Sequence, residues 1–321
     1  MELVEKGINS VLESDYKPLE IIFVDNGSSD NSGNYLSNLL NKKATSKEGI
    51  IIKTLNLNKN YGFAGGNNLA FKLINPKSKY IALINNDLIL EKTSLKEFIT
   101  YLEEHPSVAG VQGKLLRFDH SIDSAGPYIT TFWDIIDRKI FTNRIDDEAP
   151  LSYIDGAYAV LRISALNKAG GLFIPHLFSY CEDLELGLRL WVAGYYLKFI
   201  PVFAGYHLRG GSSSYLRKND IYDYLHWRNI TAIMFLYDRL WFLKLLLKFP
   251  LIVYHYFIDR DHYSIRGIYD GINLGKYLLK KTEKQKIRSK NFPVLKISIF
   301  AYYKYYIRLL QYKIFRAKSL R

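Results

Sequence analysis

Apolar residues recur at helical spacing from Val4 to Leu12, then give way to the short run Glu20-Ile-Ile-Phe-Val-Asp25, which predicts a buried strand. Helical spacing returns from Ser32 to Leu40. Strand-like runs follow at Ile50 to Leu57 and Tyr80 to Ile84, with helices predicted from Gly65 to Ile74 and from Ser94 to His105. This alternation predicts an α/β fold, a mostly parallel, Rossmann-like central sheet flanked by helices. Ligands of such sheets sit beyond the carboxyl ends of the strands. The polar runs of this chain fall there, Asp25-Asn-Gly-Ser-Ser-Asp30 after one strand and Asn85-Asn-Asp87 after another.

Between Ser107 and Pro150 no period stands out, and sheet extension with loop is expected. Ile154 to Leu161 reads as a strand, Leu184 to Ala193 as a helix opened by Glu182-Asp183, and Tyr196 to Phe203 as a strand running toward His207. Beyond Tyr222 the pattern is helical, aromatic and basic. Charge sharpens that change. Of 44 Lys and Arg and 31 Asp and Glu in 321 residues, the segment 221–321 holds 20 and 6, so it carries the excess behind the net +13. Two units are expected: 1–220 as an α/β domain, and 221–321 as a basic C-terminal helical region suited to an anionic surface.

The most apolar stretch, Ile230 to Ile258, is interrupted by Asp238, Arg239, Lys244, Lys248 and Pro250, and reads as an interfacial or buried helix rather than a membrane span. Within it, Trp241 to Phe249 sets Lys244 and Lys248 one turn apart, as in a helix lying in a membrane surface. Packing on the rest of the chain would bury the same residues. The single Cys181 excludes an intrachain disulfide and a cysteine-built zinc site, and MELVEKGINSVLESD at the start lacks the apolar core of a signal peptide. The expected location is cytoplasmic, peripheral at the inner face of the cell membrane.

Six segments carry the candidate chemistry: IIFVDNGSSDNS (21–32), NKNYGFAGGNNLA (58–70), ALINNDLIL (82–90), DGAYAVLRISALNKAGGL (155–172), FSYCEDLELGLRLWVAGY (178–195) and PVFAGYH (201–207). In this order and spacing they resemble the family 2 glycosyltransferases of the GT-A fold, particularly the rhamnosyltransferase-like members, from about Val4 to Asn229. The resemblance implies inverting transfer of a hexosyl or deoxyhexosyl group, rhamnosyl for example. The donor would be a nucleotide-diphosphate sugar, UDP- or dTDP-linked, and the acceptor a hydroxyl of a lipid-linked glycan or polysaccharide.

Residue by residue, the resemblance implies that Asp25, with Asn26 beside it, accepts the imide N–H of uracil or thymine. A carboxylate in an Asn-Gly turn also stabilises that turn, and Asp30 reads as a cap of the next helix. Gly62, Gly65 and Gly66, with Asn67, permit close backbone approach and a helix N-terminus facing the donor diphosphate. Asn85-Asn86-Asp87 stands at the family's Asp-x-Asp position, where carboxylates and a divalent Mg²⁺ or Mn²⁺ hold the diphosphate. With Asn85 in first place, Asp87 is the principal ligand, though a polar turn after a buried strand has the same composition. Transfer with inversion needs a carboxylate within reach of the acceptor hydroxyl. The resemblance puts that base at Asp183, with Glu182 positioning the acceptor, while a helix N-cap would use the same residues. It implies that His207 reaches the metal or the diphosphate. Arg209 suits phosphate or solvent, and Arg189 a structural ion pair.

The resemblance also implies a strand ahead of Val4 that walls the nucleotide base, which this sequence does not show. A sugar-1-phosphate nucleotidyltransferase of similar fold would carry a glycine-rich, Arg/Lys-bearing loop near the N-terminus, and none is seen. A non-catalytic protein binding lipid or nucleic acid through its basic aromatic tail would leave the carboxylates of 1–220 without purpose. Nucleic acid is therefore not an expected partner.

Overall fold

The computed structural model describes residues 2–44, 48–208, 221–257, 263–281, 292–304 and 306–307. Its first part follows the predicted alternation: α1 (Glu2–Leu12), β1 (Leu19–Asp25), α2 (Ser32–Ala44), β2 (Ile50–Asn56), α3 (Gly62–Phe71), β3 (Tyr80–Ile84), β4 (Leu88–Leu90) and α4 (Ser94–Glu104). The stretch without a period holds β5 (Val108–Leu116), β6 (Ile122–Ser124), β7 (Pro127–Thr130), β8 (Ile135–Asp137) and β9 (Ala149–Pro150). Then come β10 (Tyr158–Arg162), α5 (Ile163–Lys168), α6 (Glu182–Val192), β11 (Tyr196–His207), α7 (Ile221–Tyr237), α8 (Trp241–Phe257), α9 (Tyr263–Lys281) and β12 (Val294–Leu295).

The main sheet runs β3-β10-β5-β11-β4, with β6 on β5 and β9 on β11. It is mixed, which corrects the expectation of a mostly parallel sheet. β5 and β11 are parallel, but β10 runs antiparallel to both β3 and β5, and β4 runs antiparallel to β11. The chain travels from β5 to β10 through the β6–β9 excursion, without the crossover helix a parallel return needs. β1 and β2 form a separate parallel pair with no ladder to β3 among the described residues. Every residue of β1 is only half-buried, although Ile21-Ile-Phe-Val24 is the kind of run that parallel sheets bury on both faces.

β5 escaped the sequence reading because its packing needs small residues. A Cβ at Gly110 would lie 2.5 Å from the Leu161 Cδ2, and one at Gly113 2.5 Å from the Val202 carbonyl oxygen. Two glycines, a Gln and a Lys dilute the strand signal of VAGVQGKLL. One face of the sheet is covered by α4, whose Phe98 and Leu102 meet Val111, Leu115 and Val160. The other is covered by α6, whose Leu186 and Leu190 meet Ala109, Ala159 and Phe199.

The charge shift near residue 220 does not coincide with a packing boundary. α7 sets Ile230, Ile233 and Met234 against Leu184 and Leu188 of α6 and against Trp133 and Tyr153. Each such burial contributes about 1.5–3 kcal/mol. β12 adds to the sheet of β7 and β8.

α8 is turned opposite to an in-plane helix with lysines outward. Lys248 is only 4% exposed and lies 2.8 Å from Asp134, while Lys244 pairs with Asp238, which also accepts the Trp133 indole N–H. The lysines fasten the helix to the body, and the apolar side faces out: Phe242 and Phe249 are 58% and 60% exposed, with Leu243 and Leu246 exposed between them. No described helix is long and apolar enough to cross a membrane.

Candidate active site

The turn Asn85 to Asp87 is fixed at both ends. The Asn85 N–H donates to the Ala157 carbonyl at 2.9 Å, and Leu88 donates back to Asn85. The β4–β11 ladder then sets Leu88 opposite His207, which brings the Asp87 carboxylate to the end of β11. His207 Nε2 lies 3.3 Å from Asp87 Oδ1, and Nδ1 lies 2.9 Å from Asp123 Oδ2. All three side chains are buried or nearly so, and Arg117 Nε stands 3.3 Å from Asp123. Burial alone would lower the His207 pKa, but hydrogen bonds to Asp123 and Asp87 and their charges push it up to about 9.

These residues fit a divalent cation that would displace the Nε2 proton of His207. Two ligand atoms about 2.1 Å from an octahedral ion are about 3.0 Å apart, close to the 3.3 Å between His207 Nε2 and Asp87 Oδ1. Asp123 behind Nδ1 leaves Nε2 directed at Asp87, as metal-binding imidazoles are commonly oriented. Among the described residues no three His, Cys, Asp or Glu converge into a cage. An ion held by Asp87 and His207 would take its other ligands from diphosphate oxygens and water, the usual environment of Mg²⁺.

Glu182 and Asp183 open α6. Asp183 accepts N–H bonds from Gly156 at 3.3 Å and Leu184 at 2.8 Å. Beneath it lies a small apolar cavity lined by Leu83, Ala159, Phe173, Leu186 and Leu190. Burial in these surroundings, with the charge of Asp155 added, pushes the Asp183 pKa up to about 7 against the pull of the two N–H donors. Glu182 is also buried, its pKa raised by burial and by the neighbouring Asp183 charge, and its Oε2 has no hydrogen-bond partner among the described residues. The segment 155–157 joins the two acidic groups, since Ala157 receives Asn85 while Gly156 donates to Asp183.

The donor-side residues are placed less simply. Asp25 accepts from Ser28 N–H, and its Oδ2 would lie 2.1 Å from a Cβ at position 33, so Gly33 gives the carboxylate its room. Asp30 accepts from Ser32 N–H at the start of α2, as a cap does. Asn26 braces the glycine loop, donating to Gly62 O and accepting from Tyr61 N–H. α3 begins at Gly62 rather than Gly65, and its first N–H groups are taken: Gly62 donates to Asn60, Phe63 to Ser179 Oγ, and Ala64 to Phe178 O. The anion-facing helix end read from Gly65 is therefore occupied by the loop 178–179, with Gly65 packed on Tyr61. Asn67 donates to Phe63 O within its own helix, and the neighbouring Asn68 clasps Phe173 through both its backbone groups. Asn85 is half-buried and Asn86 exposed beside Asp87. Arg189 makes the expected structural pair, with Glu185, and also caps carbonyls of 169–172. Arg209 lies outside the described residues.

Residues 2–170, more than half of the chain, match the family model "Glycosyl transferase family 2". The chain belongs to that family. Among family 2 relatives, the rhamnosyltransferase WbbL of Escherichia coli K12 is 28% identical over 162 residues, 46% of this chain and 61% of WbbL, so the match spans under two thirds of that protein. The solved structure of S. aureus TarS superposes with a TM-score of 0.50 at 17% identity, covering 80% of this chain and 42% of TarS. The structure of GalNAc-T7 with UDP, GalNAc and Mn²⁺ gives 0.56 at 11% identity, covering 87% of this chain and 55% of that one. The fold is GT-A, an α/β core with a central sheet flanked by helices.

Asp123 and Asn229 were not read from the sequence. Both act from elements with no motif of their own, and only the fold brings Asp123 to His207 and Asn229 to the loop before Glu182. Asp155 opens the segment 155–172, but its charge beside Asp183 is a property of the folded turn.

Proposed function

We propose that the protein transfers a hexosyl or deoxyhexosyl group from a UDP- or dTDP-sugar to a hydroxyl of a lipid-linked glycan or polysaccharide, with inversion. The observation that carries this reading is the short bridge 155–157, which holds a carboxylate of raised pKa at Asp183 beside the Asp87 turn. The acceptor oxygen forms a bond to the anomeric carbon as the bond from that carbon to the diphosphate oxygen breaks. The leaving nucleoside diphosphate keeps the electron pair, and the hydroxyl proton passes to Asp183. Glu182, whose buried Oε2 has no hydrogen-bond partner among the described residues, orients the acceptor. Asp87 and His207 would hold a divalent cation, which neutralises charge on the departing diphosphate when bound. WbbL is named a rhamnosyltransferase, which puts dTDP- and UDP-linked deoxyhexoses first in a donor panel. Incubation of the full chain with that panel, Mn²⁺ and a lipid-linked glycan should give product with one donor, and no transfer from any would defeat the reading.

The pH dependence follows from Asp183. A base must be deprotonated, so kcat/KM should rise with pH through about 7 and level off above it. A carboxylate at its ordinary value would put that limb near 3.9. Transfer rates between about pH 5 and 9 check this, and a profile flat down to pH 5 removes Asp183 as the base.

We also propose that the exposed face of α8 seats the protein on an anionic membrane at the cytoplasmic side. Phe242, Leu243, Leu246 and Phe249 would enter the interface, and the basic excess of 221–321 would supply the attraction. The full chain should sediment with phosphatidylserine vesicles at low salt, and Phe242→Asp with Phe249→Asp should release it. A full chain that stays in the supernatant refutes this seat.

A further inference from the structure

Arg228 and Asn229 lie on α7, away from the segments that carry the acidic residues. Asn229 is fully buried, and its Oδ1 accepts from Arg228 Nε at 2.9 Å, which turns Nδ2 toward the loop before α6. There Nδ2 meets three backbone carbonyls, those of Leu177 at 2.8 Å, Ser179 at 2.9 Å and Tyr180 at 2.7 Å. Arg228 Nη2 adds Leu177 O at 2.8 Å and His176 O at 3.2 Å. Carbonyl dipoles that would repel one another are thus drawn to one side-chain pair.

The same loop holds Phe178, Tyr180 and Cys181 at φ of 64°, 70° and 63°, the left-handed region that residues with a Cβ rarely adopt. Such a path persists only where surrounding contacts over-determine it. On its other side the loop is held by α3, through Ala64 N–H on Phe178 O and Phe63 N–H on Ser179 Oγ. Gly62 makes room for that contact, since a Cβ there would lie 2.3 Å from Phe178 O, and its own φ is +73°. The left-handed Cys181 immediately precedes α6, so the loop's path decides where Glu182 and Asp183 stand.

We propose that Arg228 and Asn229 are positioning residues for the acidic pair. They hold loop 176–181 in its strained path, so that Asp183 meets the acceptor hydroxyl at the angle transfer requires. This rests on the proposed role of Asp183 as base. The pair touches neither Asp87 nor His207, so its loss should act on turnover and not on the donor.

The test uses the full chain with Asn229→Ala and Asn229→Ser, read beside Asp183→Asn. Asn229→Ala should lower kcat about a hundredfold, the cost of a misplacement of about 1 Å, and Asn229→Ser less. The donor KM, and the rise in Tm given by UDP or dTDP with Mn²⁺, should stay near wild type. The pH at which kcat/KM reaches half its plateau should move, because the donors on Asp183 and its distance from Asp155 both depend on the loop. Hydrogen exchange should quicken in 177–184 and stay unchanged in β5. Ile233→Val, on the same helix and facing the core, should lower Tm and leave kcat alone. If Asn229→Ala does not fold, Arg228→Lys, which takes the Nε donor from Asn229 and the Nη2 donor from the Leu177 and His176 carbonyls, carries the same readouts. Wild-type kcat and pH profile in these variants overturn the proposal, as does a parallel loss of donor binding and Tm. An active Asp183→Asn defeats the base assignment itself. An inactive Asp183→Asn beside a wild-type-like Asn229→Ala defeats only the positioning role.

Discussion

Asp183→Asn lowers kcat for sugar transfer by about three orders of magnitude, within the range that a lost general base costs, while donor affinity stays close to wild type. The amide keeps the size of the carboxyl, and its one oxygen can still accept from Leu184 at the loss of the longer bond from Gly156, so the turn moves little. What disappears is the site that takes the proton. The same substitution should raise Tm at neutral and alkaline pH. Burial and Asp155 push the Asp183 pKa from 3.8 up to about 7, so the folded state holds a proton that the unfolded chain releases between those values. A raised acid pKa means that stability falls as pH rises through that window. The neutral amide carries no such cost. Steady-state kinetics and calorimetry above pH 7 test both halves. Near-wild-type turnover, or a lower Tm with weakened donor binding, would show that Asp183 is structural.

Asp87→Ala has the second large effect, on the donor instead of the acceptor. Metal-dependent affinity for the nucleotide diphosphate should fall by more than about a hundredfold, because one of the two ligands proposed for the cation is gone. Asp123→Asn, which spares both ligands but alters the partner behind His207 Nδ1, should cost about tenfold to a hundredfold. Titration calorimetry with dTDP or UDP, with and without Mn²⁺, separates the two. Equal affinity in all variants would mean that any cation sits elsewhere.

The first third of the fold was legible because its strands are continuous apolar runs and its helices keep one period. β5 was not, since close packing against Leu161 and Val202 demands glycine where a strand would advertise itself with branched residues. The mixed strand directions were hidden as well, because an excursion of short strands leaves no mark that separates it from a loop. In the candidate site, residues within motifs were legible and their partners were not. His207 could be picked out at the end of a strand run, but the carboxylate behind it lies 84 positions earlier. The lysines of α8 misled for a related reason. Spacing alone shows that Lys244 and Lys248 share a side, while Asp134 and Asp238 decide which way that side faces.

The pairing of β12 with β7 has a consequence for how the protein is made. Thr131 donates to the Leu295 carbonyl, a contact that closes 164 positions of chain. At about 5–20 residues per second the ribosome supplies the second partner roughly ten to thirty seconds after the first. Within that interval, from the synthesis of α6 until that of α7, Leu184 and Leu188 stand without Ile230, Ile233 and Met234. The apolar side of α6 is therefore a surface that the translating cell must keep from aggregating, and slow codons or chaperone contact between about residues 190 and 300 should change the yield of folded protein more than the same interventions earlier in the message.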